Sequence, residues 1–224
     1  MIEESVRHAA QSESDSDASE NSPHHGARIV ALGNLGAAMR RLANSVALTE
    51  VSISALEKVT EDAAGMAEIL ESCCRHFTTM ASVDSTSTAV RMFNPAAGKG
   101  NPFSPPLDLE SISMDRVRAR CALGPLHEGP FGFVHGGVTA LLLDQIVGIA
   151  ARHSHQNAMT ASLNVTYSRP IPLESTIELH GEVIRRSGRK VWVRAHIALE
   201  EVPTIELASA EALLIKPVSM PSVG

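Results

Sequence analysis

Aromatic side chains are scarce in this 224-residue chain: five Phe, one Tyr and one Trp, 3% of the residues. Single-stranded nucleic acid needs stacking platforms for its bases, so that partner is disfavoured. A formal charge of −6 likewise disfavours a polyanion held by bulk positive charge. Cysteine is sparse as well. Cys73, Cys74 and Cys121 supply neither a disulfide framework nor paired CxxC zinc spacing, which points to a reducing compartment. Long apolar runs are missing, and the longest, 138–143, is far too short to span a bilayer. The first twenty residues carry acid and serine where a secretory signal needs a basic start and an apolar core. The expectation is a cytoplasmic protein with no membrane span and no nucleic-acid partner.

What is present falls into segments. Residues 1–27 form a tail in which serine alternates with acid; too little apolar surface exists there to offset ordering entropy, so disorder is expected. Leu32, Leu35, Met39, Leu42 and Val46 then recur at spacings of three and four, and Leu56, Val59, Ala63, Met66, Leu70, Cys73 and Phe77 follow at heptad spacing. The spacing predicts helices over 29–48 and 54–77, the second opened by a Ser54/Glu57 capping box. Their stripes are expected to pack on each other, on the main domain or on a second subunit. Residues 79–110, with prolines at 95, 102, 105 and 106, read as a linker running extended over a surface.

From 111 to 217 the pattern changes to one domain, followed by a short tail at 218–224. Val117, Ala119, Cys121 and Leu123 alternate with arginines, which marks a half-buried strand. A loop rich in Gly and Pro leads into an apolar helical run from Gly136 to Ala151. Four more strands are expected at 159–168, 174–185, 190–200 and 205–215, with a hairpin turn at 186–189. One buried helix against one antiparallel sheet is an α+β arrangement.

The chemistry concentrates on that helix. It is apolar all round except at Asp144 and Gln145, and a buried carboxylate is costly unless paired or used. Its start, His135-Gly136-Gly137, offers unpaired backbone N–H groups at the positive end of the macrodipole, and the two glycines let a ligand oxygen approach closely. That is the geometry an oxyanion needs. Gly136 and Asp144 are, however, about 12 Å apart along one helix at ~1.5 Å per residue. An oxyanion donor and a general base must each lie within about 4 Å of one carbonyl carbon. One helix cannot supply both, whereas two antiparallel copies about a two-fold axis can, so a catalytic pair here implies at least a dimer.

The stretch from Val134 to Asp144 resembles the HGG-x(6)-D segment of hotdog-fold acyl-CoA thioesterases, and Met159 to Leu173 resembles the matching strand of the member 4 group and its bacterial relatives. The phenylacetyl-CoA type shares the HGG and Asp pattern. The resemblance covers roughly 101–217. It implies a sheet curled around a central helix, subunits joined edge to edge as a homodimer or a dimer of dimers, and hydrolysis of acyl-CoA, of medium or long fatty chain in the member 4 group. It gives Asp144 the role of general base or nucleophile, Gly136 the polarising N–H, His135 a hydrogen bond that fixes the loop, and Thr160 the hydroxyl that orients the carboxylate or water. Some relatives carry an Asn ahead of HGG where this loop reads His127-Glu128-Gly129, which makes Glu128 a candidate extra carboxylate.

The coenzyme handle is also readable. Thr160, Ser162, Asn164, Thr166 and Ser168 alternate along one strand and are expected to share a face. The basic hairpin Arg185 to Lys190, with Arg189 and Lys190 at its turn, suits CoA phosphates; by resemblance Thr166, Ser168 and Arg189 lie near CoA. Gly137, Asn164 and Lys190 complete the expected binding set. No metal is assigned to Cys73, Cys74 and His76 or to His153 and His155, and no cofactor is expected beyond the CoA of the substrate. The rival reading is a hotdog domain that binds acyl-CoA as a sensor, with the helical pair as its output.

Overall fold

The computed structural model describes residues 23–85, 90–113, 115–152 and 158–218. Most of the expected N-terminal tail, His153, His155 and residues 219–224 lie outside them. The element order is α1 (Pro23–Leu48), α2 (Ile53–Glu71), β1 (Asp108–Ile112), β2 (Arg116–Ala122), a 3₁₀ turn (Pro125–His127), α3 (Gly136–Arg152), β3 (Met159–Tyr167), β4 (Thr176–Ser187), β5 (Lys190–Leu199) and β6 (Val202–Ile215). The strands form one antiparallel sheet in the order β1-β2-β4-β5-β6-β3. No helix among the described residues is long and apolar enough to cross a membrane.

Alternation builds the core. In β2, Val117, Ala119 and Cys121 point inward while the arginines between them point out. The inward rows of β4, β5 and β6 meet Leu142, Leu143, Ile146 and Val147 of α3, all fully buried. A sheet wrapped on one apolar helix is the hotdog arrangement that the resemblance implied. Burial raises the Cys121 thiol to about 12, which keeps it inert. The outer face carries charge instead. Glu178 accepts from Arg118 and lies 3.2 Å from the ring of His180, which stacks on His196, and Arg194 grips Glu206 at 2.8 and 2.7 Å.

The N-terminal third departs from expectation. Helix α1 starts at Pro23, six residues earlier than 29. Helix α2 stops at Glu71, six residues short of 77, and its cap is Ser52 rather than Ser54: the Ser52 hydroxyl accepts from Ala55 N at 3.3 Å. None of its residues is buried among the described residues. The expected linker is not a surface path either. It holds β1 and a series of turns that bury Met92, Ala96, Ala97 and Ser104. Short side chains close those turns, with Asn94 Oδ1 accepting from Ala96 N and Ala97 N and Asp84 Oδ1 from Met92 N. Arg40 of α1 then donates to Asn101 O at 2.7 Å, docking the helix on this strap. Strand β4 opens at 176 rather than 174 because Glu174 turns the chain with φ 60.

Candidate active site

Helix α3 takes its start from the loop before it. His135 N donates to His127 O at 2.9 Å, and the Glu128 carboxylate accepts from Gly132 N at 2.7 Å. Glu128 is therefore committed to holding this loop. His135 caps the helix twice: its carbonyl accepts from Val138 N and Thr139 N, and its Nδ1 accepts from Gly137 N at 2.9 Å. A side chain at 137 would press on that imidazole, its Cβ 3.0 Å from Nδ1. The Gly137 N–H, expected to bind substrate, is thus spent within the chain. No hydrogen bond from the Gly136 N–H, at the helix N-terminus, is found among the described residues.

Asp144 lies two turns on. Its Oδ1 accepts from Thr160 Oγ1 at 2.9 Å. That contact depends on a β-bulge. The register of β3 on β6 shifts between Thr160 and Ser162, so Thr160 pairs with Leu214 while Leu163 pairs with Ala212 and Val165 with Ala210. Leu214, Ala212 and Ala210 all face α3. Thr160 thus joins the helix side, and Ser162, Asn164 and Thr166, opposite Leu213, Glu211 and Ser209, face away from it. The expected single polar row from 160 to 168 is corrected on this point: the extra residue, Ala161, turns the threonine toward the carboxylate.

Tyr167 ends β3. Its hydroxyl donates to Gly136 O at 3.0 Å, pinning the helix start to the far end of β3. It is the chain's one tyrosine, and it shares the parity of Leu163 and Val165, a signal that places it beside the helix. The two anchors, Thr160 on Asp144 and Tyr167 on Gly136, sit at opposite ends of β3. Open donor and carboxylate therefore remain two helical turns apart within one chain.

The basic hairpin lies at the Thr160 end, since Lys190 pairs with Ile215 and Ile215 with Met159. Arg189 gives one N–H to Lys216 O at 3.0 Å, Arg185 stacks on Trp192 and Arg186 pairs with Asp115. Ser168 is exposed just past the other end of β3. His127 is 6% exposed, with neither ring nitrogen hydrogen-bonded to the described residues, and burial lowers its pKa. A groove of about 550 Å³ opens elsewhere, between Arg41, Asn44 and Leu48 of α1 and the turn after β2; neither Asp144 nor Gly136 lines it. No group of three or more His, Cys, Asp or Glu placed to hold a metal occurs among the described residues.

Residues 131–205 match the thioesterase superfamily. A crystal structure of a thioesterase superfamily protein is 30% identical, with a TM-score of 0.73, over 82% of this chain and 90% of its own. The acyl-coenzyme A thioesterase THEM4 of Mus musculus is 42% identical over 42% of this chain and 40% of its own length. Its counterpart in Xenopus laevis is 38% identical over 42% and 41%. The chain thus spans about two fifths of the length of these curated relatives.

Proposed function

This chain belongs to the thioesterase superfamily, and from that premise we propose that it hydrolyses an acyl-CoA, of medium or long fatty chain, to free acid and CoA. The observation that carries the reading is the Thr160 hydroxyl bound to Asp144 on a helix whose first N–H makes no hydrogen bond to the described residues. The names of the mouse and frog relatives agree with it.

Asp144 acts as general base. Water bonds to the thioester carbon while its proton passes to the Asp144 carboxylate, which Thr160 orients through Oδ1. Charge develops on the carbonyl oxygen against a Gly136 N–H. Collapse of the tetrahedral adduct breaks the C–S bond, and the proton on Asp144 leaves with the CoA thiolate. The donor comes from a second protomer. Strand β3 is a sheet edge, and edge strands pair readily. Antiparallel self-pairing about Asn164 sets Ser162 of one protomer opposite Thr166 of the other and Leu163 opposite Val165, so each face meets its like. The bulge then carries Thr160 opposite Tyr167 of the other protomer, which brings Asp144 of one chain to Gly136 of the other. Arg189 and Lys190 lie at that same end and hold the CoA phosphates, with Thr166 and Ser168 reaching in from the other protomer.

The test is thiol release from acyl-CoAs ranging from acetyl to palmitoyl, with phenylacetyl-CoA included. Asp144→Asn should cut turnover by ~10²–10⁴, and Thr160→Val should cut it less, by roughly ten- to a hundredfold, the value of one hydrogen bond to a charged group. Wild-type turnover in folded Asp144→Asn would overturn the assignment. Tight acyl-CoA binding with no thiol released from any of them would make the domain a sensor.

A further inference from the structure

Helix α1 lies outside residues 131–205, the stretch that matches the superfamily. Yet among the named elements it packs chiefly on the 3₁₀ turn Pro125–His127, which leads into the candidate site. Asn44 makes the join. Its Nδ2 donates to Arg40 O at 3.0 Å, one turn back on its own helix, and its Oδ1 accepts from Leu126 N at 3.2 Å. The approach is close, because a Cβ at Gly124 would lie 3.0 Å from the same oxygen. Asparagine inside a helix lowers its propensity, and here the bond to a backbone N–H of another element offsets that. Next to it Arg40 ties α1 to the strap at Asn101 O, so the helix that carries Asn44 is itself anchored.

We propose that Asn44 is a positioning residue for hydrolysis, fixing the Gly136 N–H through the loop between them; this rests on the hydrolase reading above. From Leu126 onward the connection is short and made of backbone. His127 N donates to Gly124 O and closes the turn, and His127 O accepts from His135 N, both at 2.9 Å. Between these points the loop is cross-braced. Gly129 N donates to Phe133 O at 2.9 Å, and Gly132 N to the Glu128 carboxylate at 2.7 Å. His135 then caps α3, whose first residue is Gly136. A loop braced in this way moves as one piece, so a shift of the turn arrives at Gly136. An oxyanion donor has to be held within about 0.5 Å of its productive place. Displacing it weakens an interaction made mainly in the transition state, while the residues that hold CoA stay where they are. Asn44 therefore acts on kcat and not on KM.

The experiment compares Asn44→Ala and Asn44→Asp with wild type on the full chain. Alanine is the better helix former, so α1 itself gains and any loss comes from the missing acceptor. Aspartate keeps an oxygen toward Leu126 N and gives up only the bond to Arg40 O. Two quantities are read: saturation kinetics of thiol release on the acyl-CoA that wild type turns over fastest, and amide hydrogen exchange by mass spectrometry. Asn44→Ala should lower kcat roughly two- to tenfold, the worth of one neutral hydrogen bond, with KM little changed. Exchange over 124–137 should quicken by a like factor while β4 and β5 exchange as in wild type. Asn44→Asp should recover most of both losses. Wild-type kcat in Asn44→Ala, a loss carried by KM, or faster exchange spread evenly over the whole domain would overturn the proposal and leave Asn44 a fastener of α1. A wild type that releases no thiol is a different failure, that of the hydrolase reading, and exchange over 124–137 still decides whether Asn44 fixes the loop.

Discussion

At the scale of single residues, the pair that matters is held by a contact no linear pattern contains. Asp144 was legible because a carboxylate on an apolar helix demands a reason. Thr160 was legible only through its resemblance; strict alternation placed it on the wrong face, and only the extra residue Ala161 puts it beside Asp144. His127 shows the converse: it sits in a loop that the fold buries, and neither ring nitrogen is hydrogen-bonded to the described residues. Its pKa is lowered by burial, and that of His196 is lowered by burial with Glu206 opposing. The unfolded imidazoles therefore bind protons before the folded ones do. Full stability holds above the unfolded value of about 6.5 and is lost as pH falls from there through the lowered folded values. Thermal melts from pH 7.5 down to 5 should show falling midpoints, with a slope of up to about 1.4 kcal/mol per pH unit for each proton taken up. His127→Phe should flatten that slope. An unchanged slope in the variant would mean that His127 titrates alike in both states.

At the scale of elements, periodicity read the hotdog portion well and the N-terminal third poorly, for one physical reason. Strands and the central helix bury whole rows of side chains, and rows leave a period in the sequence. Helix α1 docks by a few side chains, Ile29 and Leu32 on Ala81, Val83 and Met92, and otherwise against backbone. Arg40 reaches the carbonyls of Lys99 and Asn101, and Gly36 lies so close to the strap that a Cβ there would sit 2.3 Å from Lys99 O. Such contacts leave little to read beyond two apolar residues, a glycine and an arginine, and the strap's buried residues stand singly between turns. The contrast within one helix gives a measurement. Gly33 and Gly36 are both helical, but a Cβ at 33 would meet nothing nearer than the Lys99 Cβ at 3.9 Å. Gly33→Ala should raise stability by about 0.5–1 kcal/mol through helix propensity. Gly36→Ala gains the same propensity yet forces α1 off the strap's backbone, for a net loss of about 1–3 kcal/mol. Thermal unfolding of the two variants side by side separates propensity from docking; a stabilised Gly36→Ala would show that the strap yields.

At the scale of the whole molecule, the question is whether one chain contains a site. The hydrogen bonds at the two ends of β3 fix Gly136 and Asp144 about 12 Å apart on a straight helix. The proposed self-pairing at the exposed edge would close that gap between chains. The proposal can be tested without a structure of the dimer. Gly136 is the first residue of α3, the helical position where proline is tolerated, so Gly136→Pro deletes the N–H and keeps the helix. Gly136→Pro and Asp144→Asn should each be nearly inactive alone. Unfolded and refolded together in equal amounts, they form mixed dimers in which one site combines the intact Gly136 of one chain with the intact Asp144 of the other. Half the dimers are mixed and each has one of two sites restored, so activity should return to about a quarter of wild type. The double variant refolded with wild type should show the reverse, its mixed dimers having no intact site. Recovery to a quarter locates donor and base on different chains, whereas mixtures no more active than the separate variants would place the whole site within one chain and remove the edge pairing from the mechanism.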